Sequence, residues 1–302
     1  MITVLGSINA DMTITVKEIP KVGETLMGKE LYQSPGGKGA NQAVAMGKLK
    51  VDVNFLGKVG EDAYGDAMLE NQKINGVDIS KIARTSEAST GVAMIYVDEQ
   101  ANNSIVVVAG ANALVDTAYV EANQETIEAS DILLCQLEVP IESVERGFEI
   151  AKQAGKITVL NPAPAADLSE KMISLCDIII PNETELERMS GVPTSDEVGI
   201  KKAAKVLLDK GVKELIVTLG SKGVLWINQS VCEFYAANKV NAVDTTAAGD
   251  SFIGGFLSEY VKTKDIPAGI KVGQAVAALS VQKQGAQNSL PTYEEVQEFL
   301  RR

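Results

Sequence analysis

The sequence predicts an α/β fold in which a central, mostly parallel sheet carries helices on both faces and a small antiparallel β lid projects from it. Three observations point there. Short runs rich in Val, Ile and Leu recur at Ile2–Leu5, Val53–Leu56, 132–134, 158–160, 178–180 and 215–218. Amphipathic stretches such as 141–154 and 197–210 separate them, and apolar strands alternating with helices mean a sheet buried on both faces. Two regions, 12–31 and 91–108, instead alternate apolar and polar residues, as in TITV and MIYV, which marks half-buried strands.

The chain opens MITVLGSINAD with no basic leader, so this stretch reads as a strand and not as a signal peptide. Asn9 and Asp11 follow that strand, and open α/β sheets bind ligands at the carboxyl ends of their strands. Residues 23–29 have the G-x-x-x-x-G-K spacing of a phosphate loop. However, Glu30 stands where a magnesium-binding Ser or Thr is needed, and no strand leads the segment into a helix, so it is set aside. Pro20, Gly23 and Gly28 break up the first alternating segment and leave room for a hinge near its joins to the body. Pro35 then leads into GGKGANQA at 36–43, whose glycines permit tight turns and close approach of a ligand. Glu138 follows the 132–134 run. Asn182 and Glu185 follow 178–180 and would share a helix face, which suits either a capping box or magnesium held through water. Gly220-Ser221-Lys222-Gly223 follows 215–218. No repeat or low-complexity stretch interrupts this order, so the chain reads as a single domain, 1–302, with lid insertions at about 12–35 and 91–108.

The most informative element comes late. Residues 244–250 read DTTAAGD and run straight into the apolar SFIGGF. If a helix begins there, the small side chains of Ala247, Ala248 and Gly249 leave its first amides open, and the helix dipole adds positive charge. Such a place holds a phosphate or a developing oxyanion. A lone carboxylate beside it, Asp250, would repel a phosphate, so it suggests a base that takes a proton from an attacking hydroxyl.

Composition narrows the chemistry. There are 40 acidic and 28 basic residues in 302, a net charge of −12, which argues against a nucleic-acid surface. The chain contains no histidine, which removes Ser–His and Cys–His nucleophiles and the histidine-bearing zinc sites. Proton transfer then falls to carboxylates, lysine, tyrosine or water. Three scattered cysteines fit a reducing cytoplasm, with Cys135 and Cys176 in apolar runs as inert core residues. No apolar run is long enough to span a membrane.

With GGKGANQA, the LLCQLEVP segment at 133–140 and DTTAAGD in hand, the chain resembles the ribokinase-like carbohydrate kinases over nearly its whole length. The first two strings are closer to the family's ribose branch than to its adenosine, fructose or phosphosugar branches. The resemblance implies ATP-dependent phosphorylation of D-ribose at its primary hydroxyl, with Asp250 as general base and 247–249 as anion hole. It implies sugar contacts at Asn9, Asp11, Gly37, Lys38, Gly39, Asn41 and Glu138. It also implies nucleotide contacts at Asn182, Thr218, Gly220, Ser221 and Gly223, and magnesium held through water at Asn182 and Glu185. An activating potassium ion is implied at Asp244, Thr246, Ser280, Lys283, Gly285 and Ser289, mostly through carbonyls. The family often has Gly where this chain has Ala247 or Ala248. Rival expectations are a kinase of another small sugar or nucleoside, and a non-catalytic sugar sensor. An exposed lid edge further suggests a homodimer formed through the lid.

Overall fold

The structure, a computed structural model, describes residues 1–100 and 102–301. Position 101, within the expected 91–108 insertion, and position 302, at the end of the expected domain, lie outside the described residues.

Every apolar run expected to be a strand is one. They assemble into a nine-stranded sheet in the order Cys232–Ala236, Gly223–Ile227, Glu214–Thr218, Ile178–Ile179, Ile157–Leu160, Ile132–Cys135, Ile2–Leu5, Val53–Leu56 and Val77–Asp78. The pairings from Glu214–Thr218 to Val77–Asp78 are parallel, and the two strands at the other edge are antiparallel. Successive side chains of one strand enter opposite layers. Ile132 and Leu134 pack with Phe55, Phe252 and Phe256, whereas Leu133 and Cys135 pack with Phe148 and Leu207. That two-sided burial is why these strands read as unbroken apolar runs. Cys135 and Cys176 are buried and Cys232 is exposed, all as free thiols. Among the described residues no helix is long and apolar enough to cross a membrane.

The projecting sheet has four strands in the order Glu30–Gly36, Asn9–Thr15, Gly91–Val97 and Asn103–Val108. Its two outer pairings are antiparallel, but Asn9–Thr15 and Gly91–Val97 run parallel. The first insertion therefore begins at Asn9, three residues before the expected start. Residues 16–29 form the distal connection between its strands and contain no helix, which agrees with setting aside the 23–29 phosphate-loop spacing. The hinge expected at the breaks in this segment does not fall at the joins to the body. Pro20, Gly23 and Gly28 lie in that distal connection, far along the chain from the joins to the body at 6–9 and 36–38.

Candidate active site

Ile2–Leu5 pairs with Val53–Leu56 on one side and with Ile132–Cys135 on the other. The chain leaves the carboxyl ends of the first and third of these in opposite directions, which opens a crevice between them. Across it, Ser7 Oγ donates to Glu138 Oε2 at 2.5 Å. The same oxygen accepts the Lys38 N–H at 3.0 Å. Glu138 thus caps helix Lys38–Lys48, whose own N-cap residue, Gly37, has no side chain to do so. A Cβ on Gly39 would lie 2.8 Å from the Ser7 nitrogen, so this glycine lets the helix end sit against residues 6–9.

Asn9 and Asp11 project from one face of their strand, two residues apart. Asn112 Nδ2 donates to Asn9 Oδ1 at 2.8 Å and orients it. Asp11 Oδ1 is buried with no hydrogen-bond partner among the described residues, and the carboxylate packs so closely on Gly36 that a Cβ there would collide with it. Burial, then the charges of Glu138 and Asp250, push Asp11 up to about 7 against the opposing pull of Lys38. A buried, unsatisfied acceptor beside a crevice is suited to a ligand hydroxyl.

Asp250 lies in the first turn of helix Ala248–Thr263 and is 7% exposed. Its two oxygens are held from the facing helix: Asn41 Nδ2 donates to Oδ2 at 2.9 Å and Gln42 Nε2 to Oδ1 at 2.8 Å. Burial raises its pKa, while Lys38, Asn41 and Gln42 pull the other way and Glu138 adds to the rise. Lys38 stands among Asp250, Glu138, Glu185 and Asp11. Burial works against its charge, but those carboxylates outweigh burial and leave its pKa raised.

Of the three amides expected to form an anion hole, one is occupied. The Ala248 N–H donates to the Thr245 carbonyl at 3.1 Å. Among the described residues, no acceptor takes the N–H of Ala247, Gly249 or Asp250. A Cβ on Gly249 would meet nothing within 4 Å, so the space over these amides is open. The helix end therefore fits an anionic group, with the amides of Ala247 and Gly249 free as expected and that of Asp250 taking the place of Ala248. Ala247 holds a left-handed conformation, φ 56°, that a glycine adopts without cost.

Asn182 and Glu185 form the capping box of helix Glu183–Ser190. Glu185 N–H donates to Asn182 Oδ1 at 2.8 Å, and Glu185 Oε1 and Oε2 accept from Asn182 Nδ2 and N, each at 2.9 Å. Burial raises the Glu185 pKa, opposed by the Asn182 N–H and Lys38. Each carboxylate oxygen keeps a lone pair that could accept from water carried by a magnesium ion. Thr218 lies beside Asn182 through an isolated parallel bridge. Gly220 and Ser221 are exposed in the following turn, with open space at Gly220. Gly223 has a different reason to be glycine: a Cβ there would collide with the Tyr235 carbonyl.

Asp244 Oδ1 accepts from the Thr246 N–H at 2.9 Å and its hydroxyl at 2.6 Å, and Oδ2 accepts from the Gly285 N–H at 2.8 Å. Burial would raise the Asp244 pKa, but these three donors outweigh it and leave it lowered. Ser280 Oγ lies 2.6 Å from Ser289 Oγ and 3.0 Å from Ser251 Oγ. Lys283 turns its ammonium outward to Glu295 at 2.9 Å, so only its carbonyl could face an ion. Sequence reasoning passed over Ser7, Gln42, Asn112 and Gln287. Gln42 sat inside the GGKGANQA string and Gln287 between two expected cation-site residues, but a carboxamide advertises no chemistry of its own.

The sequence matches the pfkB family carbohydrate kinases over residues 1–293. It is 46% identical over 299 residues to a ribokinase of Haemophilus influenzae, covering 99% of this chain and 98% of that one. It is 39% identical over 300 residues to a deoxyribokinase of Salmonella typhi, again covering 99% and 98%. A solved Arabidopsis thaliana ribokinase complexed with ribose and ATP superposes with a TM-score of 0.94 at 32% identity, covering 99% of this chain and 98% of that one.

Proposed function

The chain belongs to the pfkB family of carbohydrate kinases, and on that premise we infer that it is an ATP-dependent ribokinase. It converts D-ribose and ATP to D-ribose 5-phosphate and ADP. The observation that carries this reading is 46% identity to a ribokinase over 99% of the chain, together with a buried carboxylate, Asp250, beside the free amides of a helix N-terminus.

In this reading Asn9, Asp11 and Glu138 accept hydrogen bonds from the sugar hydroxyls, while the backbone of Gly37, Lys38 and Gly39 and the side chain of Asn41 line the crevice. Asp250 takes the proton of the attacking hydroxyl, and the amides of Ala247, Gly249 and Asp250 receive the transferring phosphoryl group. Phosphoryl transfer asks chiefly for positioning and charge stabilisation, which such preorganised donors provide. Lys38 adds a positive charge between the sugar side and the nucleotide side. Asn182, Thr218, Gly220 and Ser221 border the nucleotide. Magnesium, held through water near Asn182 and Glu185, would neutralise phosphate charge. Potassium beside Asp244, Thr246, Ser280, Lys283, Gly285 and Ser289 would fix the carbonyls of the run leading to Ala247.

The apolar edge of the lid supports a homodimer. Ile105, Val106, Val107 and Val108 are each 51–56% exposed on an edge strand, on both of its faces. A second copy pairing there would cover them. The free thiols fit a reducing compartment such as the cytoplasm.

The 39% identity to a deoxyribokinase gives one second reading, 2-deoxyribose as substrate. A coupled ADP-release assay on ribose and 2-deoxyribose decides between them. A kcat/KM for ribose at least tenfold higher is expected, and the reverse ratio would replace ribose by deoxyribose.

A further inference from the structure

We propose that Gln287 is a positioning residue for the base: by fixing the orientation of the Asn41 amide, it keeps a donor on Asp250 and ties that base to the seating of residues 285–290. The inference rests on the reading of Asp250 as general base.

An ionised carboxylate only accepts, so Asn41 must present its NH2 to Asp250 Oδ2, as it does at 2.9 Å. Its Oδ1 is then turned away and needs a donor, which Gln287 Nε2 supplies at 3.0 Å. That bond fixes Gln287 in turn, so its Oε1 faces Asn71 Nδ2 at 2.6 Å. Asn71 Oδ1 accepts from Asn75 Nδ2 at 3.3 Å. Four carboxamides thus run in one donor direction, from Asn75, the C-cap residue of helix Ala63–Ile74, to the carboxylate. Gln287 is 3% exposed and Asn41 6%, so bulk water cannot replace a lost partner.

Gln287 is itself held in place. Lys48 Nζ donates to the carbonyls of Gln287 at 3.1 Å and Leu290 at 3.0 Å, and the Gly285 N–H is bound by Asp244. A shift of this segment withdraws the donor from Asn41 Oδ1. Only the bond to Asp250 then holds the Asn41 amide, its Oδ1 is left buried without a donor, and any rotation that relieves this sets an oxygen against Asp250 Oδ2. The other groups around Asp250 are Gln42, Lys38, Glu138, Asp11 and Glu185, and none of them bonds Asn41 Oδ1.

The test reverses polarity at constant volume. Gln287→Glu leaves only acceptors facing Asn41 and turns its oxygen onto the base. Asn71→Asp does the same from the outer end, at a half-exposed position that leaves folding intact. Both should lower kcat about tenfold with the ribose KM within about twofold, because the sugar contacts stay in place. Gln287→Met, which fills the space without polarity, should fall less. A wild-type kcat in both polarity-reversing variants overturns the proposal. So does a Gln287→Met loss equal to that of Gln287→Glu and matched by its fall in Tm, since that is a packing effect. Asp250→Asn serves as control. Its retained turnover would overturn the general-base reading, whereas a dead control beside active Gln287→Glu and Asn71→Asp variants overturns this inference alone.

Discussion

Gln42 Nε2 and Asp250 Oδ1 lie 2.8 Å apart, joining the second turn of helix Lys38–Lys48 to the first turn of helix Ala248–Thr263. The two glycine-rich strings, more than 200 residues apart in the chain, therefore meet at one carboxylate. Gln42 Oε1 accepts from Gln136 Nε2 at 2.6 Å, so this second arm also directs its donors toward Asp250.

The first prediction concerns that carboxylate. Asp250→Asn keeps the shape and both amide neighbours but cannot take a proton. Turnover should fall about 10²-fold or more with ribose binding by calorimetry largely kept. Near-normal turnover would remove Asp250 as base. Because burial raises its pKa, activity should also fall on the acidic side as Asp250 is protonated.

Much of this was legible in the sequence, for physical reasons. Strands buried on both faces must be continuous apolar runs, so their positions showed plainly, as did the helix start at DTTAAGD. The lid strands showed by alternation, but the parallel pairing of Asn9–Thr15 with Gly91–Val97 did not, since pairing across some 80 residues leaves no local signal. The occupied Ala248 amide depends on the left-handed turn at Ala247, which an alanine does not announce. Asn182 and Glu185 showed as a pair because a capping box and a hydrated-metal site call for the same residues.

Asp11 carries the second prediction. Its pKa of about 7 means that the unliganded site holds a protonated acid below neutrality and a carboxylate above it. The carboxylate accepts at both oxygens and makes the stronger, charge-assisted bonds to ribose hydroxyls, whereas the acid must donate from one oxygen, so ribose affinity should rise with pH through about 7. The sign for stability is opposite. A raised folded-state pKa favours the fold fully below the ordinary carboxylate range, and that contribution is lost as pH rises through about 7. Asp11→Asn should flatten both dependences while weakening ribose binding about 10-fold or more. An Asp11→Asn variant whose ribose affinity still rises with pH as in wild type would assign the titration elsewhere.

The lid edge gives the third. Val107→Lys places a charge on a strand whose neighbours Val106 and Val108 are exposed apolar residues. Sedimentation should show a dimer for the wild type and a monomer for the variant, with the Tm changed by only a few degrees. A wild-type monomer at micromolar concentration would leave that edge without a partner copy.

The last prediction concerns the cation. The run from Asp244 to Ala247 leads directly into the free amides, and its side-chain supports are few: the Asp244 carboxylate bound by Thr246 and Gly285, the Ser251 hydroxyl on the Ala247 carbonyl, and the Ser280–Ser289 contact nearby. Its carbonyls would be drawn together by an ion of potassium's size. Lithium, smaller and more strongly hydrated, would leave them apart. Removing potassium should therefore lower kcat severalfold more than it changes the ribose KM, with lithium restoring little. Asp244→Asn can still accept from Thr246 or donate elsewhere but loses the charge that favours a cation, so it should blunt the potassium response and raise the potassium concentration needed for half-activation. Wild-type turnover unchanged in potassium-free buffer would take the ion out of the mechanism. A full potassium response retained by Asp244→Asn would keep the ion but move its site away from Asp244.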